Sequence, residues 1–397
     1  MRFTFINQFY PPDEAPTGLL LADVAEELVR QGHEVQVICG QGGYRQMGGG
    51  KGDSNGVHVV RVREMPFTRA QHGRLWSYLS FLVLATLRGL KESQSDVLVT
   101  LTTPPLLHLA GSLTSRLHGC KHYLWEMDLY PDVAIAAGTM DGVARIVGPL
   151  LDYARHRCQG ILALGECMKA RLVSHGIRPE KIHVAENWAD ANAIRPAPFP
   201  QGPLTLLYSG NLGLAHDVDS LQELLRRLPA PSRFRFRLAG GGVGLNRLRE
   251  NFKSDRWRNI SFEPHSPLSR LSDHLADCHI GLVTQKRESL GCIVPSKVYG
   301  LLAAGRPVLF IGPKGATSAR IIERYGCGWH VEPGKVEALC HLLLELEKNR
   351  EEILRAGAKA RQAFEAHYDR RIGVNRVCQI LLEHRSTAQR GWQCVLR

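Results

Sequence analysis

The sequence predicts an α/β chain of two Rossmann-like, doubly wound parallel-sheet domains facing one another across a cleft. Three observations predict it. Short apolar strand-like runs alternate with helix-like runs along nearly the whole chain, the pattern of a parallel sheet covered on both faces. The alternation breaks at the proline-rich "NAIRPAPFPQGP" (192–203), which reads as a linker, and restarts beyond it. At 397 residues the chain is longer than one core usually serves.

The first unit opens with the strand "RFTFI" (2–6), a helix over 17–31, and the strands "EVQVI" (34–38) and "VHVVRV" (57–62). A helix over 73–91, "DVLVTL" (96–101), a helix over 105–118 and "HYLWE" (122–126) follow. A helix over 141–157, "GILAL" (160–164), another helix and "KIHVA" (181–185) complete it. The second unit runs "LTLLYSG" (204–210), a helix from 217, "FRFRLAGGG" (234–242), a helix over 245–253, "NISFE" (259–263) and "HIGLVTQ" (279–285). The helix in "VPSKVYGLLAAGRPV", "PVLFI" (307–311), a helix over 316–325 and "GWHVE" (328–332) close it. The expected domains are 1–192 and 193–370, with a helical tail over 371–397 long enough to pack back across the first.

Hydrophobic content of 44% and charged content of 22% are those of a globular protein, so disorder is not the theme. The ten cysteines are scattered, with no Cys-x-x-Cys pair and no zinc spacing, which favours a reducing compartment. The chain starts directly in a strand without a signal-peptide pattern, and no apolar run reaches the roughly 20 residues that span a bilayer. A cytoplasmic location is expected. Of the net charge of +12, residues 1–195 contribute little, holding 20 Lys and Arg against 19 Asp and Glu. The basic second half suits nucleic acid, an anionic small ligand or an anionic surface.

The first turn of the helix in "VPSKVYGLLAAGRPV" (294–308) carries Lys297, and a cation there opposes the macrodipole. An anion would reverse the balance: exposed amides, a capping Ser296 and Lys297 together make a phosphate cradle. A solvated lysine beside a satisfied cap is the plain alternative. "YSGNLG" (208–213) puts Gly210, Asn211 and Gly213 at a strand end, where open α/β sheets bind ligands, and "LAGGGVG" (238–244) repeats the arrangement. The three turns should share one cleft edge. "GGGKG" (48–52) lacks the Ser or Thr of a magnesium-holding phosphate loop and reads as a surface loop. "DVD" (217–219) reads more simply as acids at a helix start than as a metal site.

"EMDLYPD" (126–132) sets Glu126, Asp128 and Asp132 at a strand end expected to face the cleft, as acid/base groups or acceptor ligands; capping or an arginine partner is the structural alternative. Around the apolar run with Trp76, Tyr78 and Phe81, residues 44–92 hold eight Lys and Arg against three acids. That pattern suits a bilayer interface with anionic lipids, or a buried sheet-covering helix.

Taken together, "FYPP" with "TG" and "RQGHEVQVI", "DLYPD", "ENW" (186–188), "YSGNLG", "DCHIGLVTQKR" (277–287), "VPSKVYGLLAAGRPV" and "CGWHVEPG" resemble the GT-B glycosyltransferases of family 4, especially the bacterial exopolysaccharide branch of colanic-acid fucosyltransferase-like proteins. The resemblance implies a UDP- or GDP-sugar donor on the C-terminal domain, a polyprenyl-diphosphate-linked glycan acceptor on the N-terminal one, and transfer with retention. Neither metal nor nucleic acid is expected, and peripheral contact with the inner face of the membrane would run through 61–91. By resemblance Lys297, Asn211 and Asp128 are the catalytic candidates. Gly210, Gly213, Gly240, Gly241, His265, Lys286, Glu288 and Ser296 join the donor side; Thr17, Gly18 and Glu126 join the acceptor side.

The chain also departs from the family pattern. Two expected glutamates are Cys292 and Gly300, so that Glu288 or backbone amides would substitute; a basic pair is replaced by Asn211 and His216; and the histidine before the "DLYPD" aspartate is Met127. A nucleotide-sugar epimerase on the same frame and a basic nucleic-acid-binding protein are the alternatives.

Overall fold

The computed structural model describes residues 1–41, 55–66, 71–92, 94–139, 141–228 and 233–383. The 48–52 loop of the sequence reading, with Arg45, Lys51 and Arg69, lies outside them.

The first sheet comprises β1 (Arg2–Ile6), β2 (Glu34–Gly40), β3 (His58–Val62), β4 (Val97–Thr100), β5 (Lys121–Glu126), β6 (Gly160–Ala163) and β7 (Ile182–Val184), in the order β3-β2-β1-β4-β5-β6-β7. Every pairing in it is parallel. Its helices are α1 (Pro16–Arg30), α2 (Gln71–Glu92), α3 (Leu107–His118), α4 (Asp132–Ala136), α5 (Asp141–Arg157) and α6 (Glu166–Ser174). Strand alternation divides the core. Phe3 and Phe5 face α1, whose Leu21, Val24, Ala25 and Leu28 recur at helical spacing, whereas Ile6 and Leu98 meet Phe81 and Ala85 of α2.

The second sheet holds β8 (Leu204–Asn211), β9 (Phe234–Gly241), β10 (Ile260–Glu263), β11 (Ile280–Thr284), β12 (Val308–Ile311) and β13 (Gly328–Val331), in the order β10-β9-β8-β11-β12-β13 and again all parallel. Around it lie α7 (Val218–Arg227), α8 (Val243–Asn251), α9 (Leu271–Ala276), α10 (Lys297–Ala303), α11 (Thr317–Tyr325), α12 (Val336–Lys348) and α13 (Arg350–Ala363). The fold class is that read from the sequence: two parallel-sheet, Rossmann-like domains.

Arg306 clamps the proline-rich linker. Arg306, fully buried, donates to the carbonyls of Ala197, Pro198 and Ala276, and its guanidinium lies 4.2 Å from the Phe199 ring centre. The chain then returns. α14 (Arg370–Leu382), capped by Asp369 through the Arg371 amide, packs on α1 and adds Val374, Val377, Cys378 and Leu381 to the first domain's core.

The carboxyl ends of the two sets of strands meet. The Leu129 amide donates to the Cys292 carbonyl at 2.8 Å, and Asp128 pairs with Ile293 as an antiparallel bridge. Cys167 Sγ and Thr317 Oγ1 add a second polar contact at 3.2 Å.

Because α14 completes the first core, Leu381→Ala should cost about 2–5 kcal/mol although it lies near the end of the described chain. Urea denaturation reads this; a change within about 0.5 kcal/mol, the scale of exposed substitutions, would show that this docking is dispensable.

Candidate active site

On the second domain the site starts from close backbone packing. β8 and β9 stay paired through Gly210 with Gly240 and Asn211 with Gly241, carrying the pairing into both glycine turns. A Cβ at Gly240 (φ +124°) would lie 2.1 Å from the Gly210 carbonyl oxygen, and one at Gly242 (φ +102°) 2.4 Å from Asn211 Oδ1. Only glycine fits such contacts at positive φ. At Gly210 itself a Cβ would lie 2.6 Å from Lys297 Cε. The turn is bare so that the lysine can pass.

Lys297 is half-buried, its Nζ 5.3 Å from the centre of the Tyr208 ring and 3.4 Å from the Asn211 carbonyl. Among the described residues no carboxylate pairs with it. Burial therefore pulls its pKa down to about 8, since nothing offsets the desolvation of the ammonium. Tyr208 donates its hydroxyl to the Asn211 carbonyl, fixing the turn from below. His216 Nδ1 donates to the Thr284 carbonyl at 2.7 Å. Burial first and the Lys297 charge second hold its pKa near 3, so this imidazole is neutral.

One expectation about this helix fails. Ser296 does not cap α10: it adopts helical backbone angles, its side chain makes no cap hydrogen bond, and it is exposed. An N-cap hydroxyl reaches back to the N2 or N3 amide from extended backbone, a geometry that helical angles forfeit. Lys286 is half-buried and Glu288 exposed on the loop between β11 and α10, while Cys292 is buried there. A side chain at Gly300 would start toward Leu275 and Ile194, 3.4 and 3.7 Å away, so an apolar wall stands at that position. Gly213 lies beside the Asn211 amide, and His265 beside Gly241. Asp217 caps α7 through the Ser220 amide and Asp219 pairs with Arg247, the structural roles expected of "DVD".

On the first domain, Asp128 and Glu126 part company. Glu126 is fully buried and does not line the cleft, correcting its place on the acceptor side. Arg155 Nε donates to it at 2.8 Å and His108 Nε2 lies 3.4 Å away. Burial opposes its charge, but Arg155 and His108 prevail and hold its pKa near 2. Asp132 likewise pairs, with Arg171 and His175. Asp128, two residues past β5's last, is half-buried at the junction, and its amide donates to Thr102 Oγ1. Burial, then the Glu126 charge, raises its carboxyl to about 6. Gly18 sits under the acceptor-side turn: a Cβ there would lie 2.8 Å from the Phe9 carbonyl oxygen, so α1 begins against the loop after β1. Thr17 Oγ1 accepts from Asn7 Nδ2.

The structure thus brings Lys297, Asn211 and the glycine turns together at the strand carboxyl ends of the second sheet, and sets Asp128 at a strand carboxyl end of the first, beside Ile293. Missed by sequence reasoning was Tyr208, which carries both turn and lysine; only its place in "YSGNLG" signals it.

Arg155→Met should destabilise the protein by about 3–5 kcal/mol at pH 7, because it strands a buried carboxylate. The sign follows from Glu126: its lowered native pKa stabilises the wild type above about 4.5, and that contribution is lost as pH falls toward 2. The gap between variant and wild type should therefore narrow between pH 5 and 3 in urea titrations; a constant gap would show that the Glu126 charge is not what Arg155 supports.

Comparison with known proteins agrees with this arrangement. Residues 18–188 match the glycosyl transferase 4-like domain, and residues 190–363 match the glycosyl transferases group 1 domain. The chain is 25% identical over 299 residues to the glycosyltransferase WbjE of Pseudomonas aeruginosa, covering 70% of this chain and 74% of that one. It is 26% identical over 361 residues to WcaI of Escherichia coli K12, assigned as a colanic acid biosynthesis glycosyl transferase, covering 83% and 88%. Among solved structures, Anabaena Alr3699/HepE in complex with UDP and glucose shares the fold at a TM-score of 0.71 and 14% identity, covering 96% of this chain and 100% of that one. With both halves matched in order across the two sheets, the chain belongs to the GT-B glycosyltransferases of family 4 and is a glycosyltransferase enzyme.

Proposed function

We propose that this glycosyltransferase moves a sugar, with retention at the anomeric carbon, from a UDP- or GDP-sugar to a polyprenyl-diphosphate-linked glycan, without a metal ion. The observation that carries the reading is Lys297: a half-buried cation with no carboxylate partner among the described residues, threaded past Gly210 to the Asn211 carbonyl. Such a cation is costly alone and favourable beside a diphosphate. As the bond from the anomeric carbon to the diphosphate oxygen breaks, that oxygen gains negative charge, and Lys297 with the amides of the 210–213 turn stabilises it more than the ground state.

Asn211 would orient the diphosphate, while Gly240, Gly241 and His265 would flank the nucleoside and Lys286 and Glu288 the sugar. Asp128 would accept the proton of the acceptor hydroxyl as that oxygen bonds the anomeric carbon, with Thr17 and Gly18 shaping the acceptor's approach. Contact of segment 61–91 with an anionic membrane surface at the cytoplasmic face belongs to the same reading; exposed Arg63 and Lys91 beside the apolar α2 support it.

Calorimetric titration with EDTA present should show binding of one of UDP or GDP, and neither ADP nor a short duplex DNA; binding of DNA alone would overturn the reading. Lys297→Ala should lower kcat/KM by about 10²–10³-fold while the melting temperature holds, and an unchanged rate would remove the diphosphate role.

The raised Asp128 pKa predicts a rate that falls tenfold per pH unit below about 6, as the carboxylate takes up its proton. Asp128→Asn should abolish that limb together with most of the activity. A pH profile in which the variant keeps the limb would assign it elsewhere.

A further inference from the structure

The loop that carries Asp128 is tied down on both sides of that residue. It runs from Glu126 at the end of β5 to Asp132 at the start of α4. The buried Arg155 guanidinium of α5 donates from Nε to Glu126 Oε1 at 2.8 Å and from Nη2 to the Tyr130 carbonyl at 2.6 Å. One rigid planar group thus fixes the positions two before and two after Asp128. Its Nη1 donates to Asp152 Oδ1 at 2.8 Å. Asp152 Oδ2 lies 3.1 Å from His175 Nδ1, and His175 Nε2 lies 3.1 Å from Asp132 Oδ1, to which Arg171 Nε also donates at 2.8 Å. Charges alternate along Glu126, Arg155, Asp152, His175, Asp132 and Arg171, and the chain passes through both ends of the loop.

His175 is the central link. Both of its ring nitrogens face carboxylates, and a neutral imidazole would set a lone pair against one of them, whereas the imidazolium donates from both. It is the first residue beyond α6, where the partial negative charge of a helix end favours the same cation. Its pKa is accordingly up at about 9, first through the hydrogen bonds to Asp132 and Asp152. α6 also touches the other domain. A Cβ at Gly291 (φ +77°) would lie 2.6 Å from the Cys167 carbonyl oxygen and 3.0 Å from Arg171 Cβ, so the junction loop rests on the helix that ends in His175.

We propose that His175 is a positioning residue for sugar transfer: it closes the chain of charges around loop 126–132 and so holds Asp128 in register with Ile293 of the junction. It acts through others, on one side through Asp132 and on the other through Asp152 and Arg155, which hold Glu126 and Tyr130. Without this cation Asp132 and Asp152 lose the group that joins them, and the far end of the loop keeps only Arg171 of its two cations. The proposal rests on the reading of Asp128 as the group that takes up the acceptor proton; the chain of charges does not.

The test is a double-mutant cycle on the full chain, reading hydrogen exchange and the release of nucleoside diphosphate from UDP-glucose or GDP-mannose, whichever it turns over, with water standing in for the acceptor. His175→Gln should speed exchange of the Asp128 and Leu129 amides, held by Thr102 Oγ1 and the Cys292 carbonyl, about tenfold, and leave β8 and β9 unchanged. It should lower kcat by about 10–100-fold with the donor KM within about twofold. In the Asp128→Asn background it should cost nothing more, and His175→Lys, which keeps a cation between the carboxylates, should recover kcat to within about threefold of wild type. Asp152→Asn, which weakens the same link from the other nitrogen, should repeat the pattern and serves where the glutamine variant does not fold. Unchanged exchange, equal losses in the glutamine and lysine variants, or a His175→Gln loss that persists in the Asp128→Asn background would overturn the proposal alone. Full activity of Asp128→Asn would instead remove the reading beneath it, and the proposal with it.

Discussion

The constraint on which the rest depends is the junction at which Leu129 donates to Cys292 and Asp128 bridges Ile293. It holds the carboxyl edges of two parallel sheets against one another. In an open α/β sheet those edges are where loops diverge and helix starts point their amides, so ligand chemistry collects there. Here two such edges share one cleft. The loop that makes the junction, 290–294, leads directly into α10 and its Lys297.

Burial acts on three charged groups near this junction, with different results. Glu126 is the most deeply buried and stays ionised, because Arg155 and His108 surround it. Asp128 and Lys297 are less buried and lack such partners among the described residues, so desolvation moves the carboxyl up to about 6 and the ammonium down to about 8. Paired charges hold the scaffold; unpaired ones are moved toward neutrality from both sides by desolvation. Glu126 takes part in both, since its fixed charge helps to raise Asp128.

The glycine turns and Lys297 are one device rather than two. Gly240 and Gly242 let β9's end lie against the 210–212 turn, and Gly210 lets the lysine stem cross it. Tyr208 closes the arrangement, its hydroxyl on the Asn211 carbonyl and its ring under the ammonium. A lysine at a helix start, unfavourable by local rules, is thus placed by packing that involves residues nearly ninety positions away.

Strand and helix order, the two parallel sheets and the glycine turns were legible in the sequence, because hydrophobic period and turn chemistry are local and repeat along the chain. The resemblance carried the family, and the cation at the start of the helix in "VPSKVYG" stood out against local rules. What only the tertiary structure decided were the fates of residues that look alike in sequence. Glu126 and Asp128 sit two apart in one motif, yet one is locked against the Arg155 guanidinium in the core and the other is left half-buried at the junction. Ser296 reads as a cap and is not one. α2 reads equally as core or interface; one of its faces packs on the sheet and the other is exposed beside α3 and α5. Each of these outcomes depends on burial and on partners distant in sequence, and desolvation is set by the whole surroundings of a group, which no local pattern records.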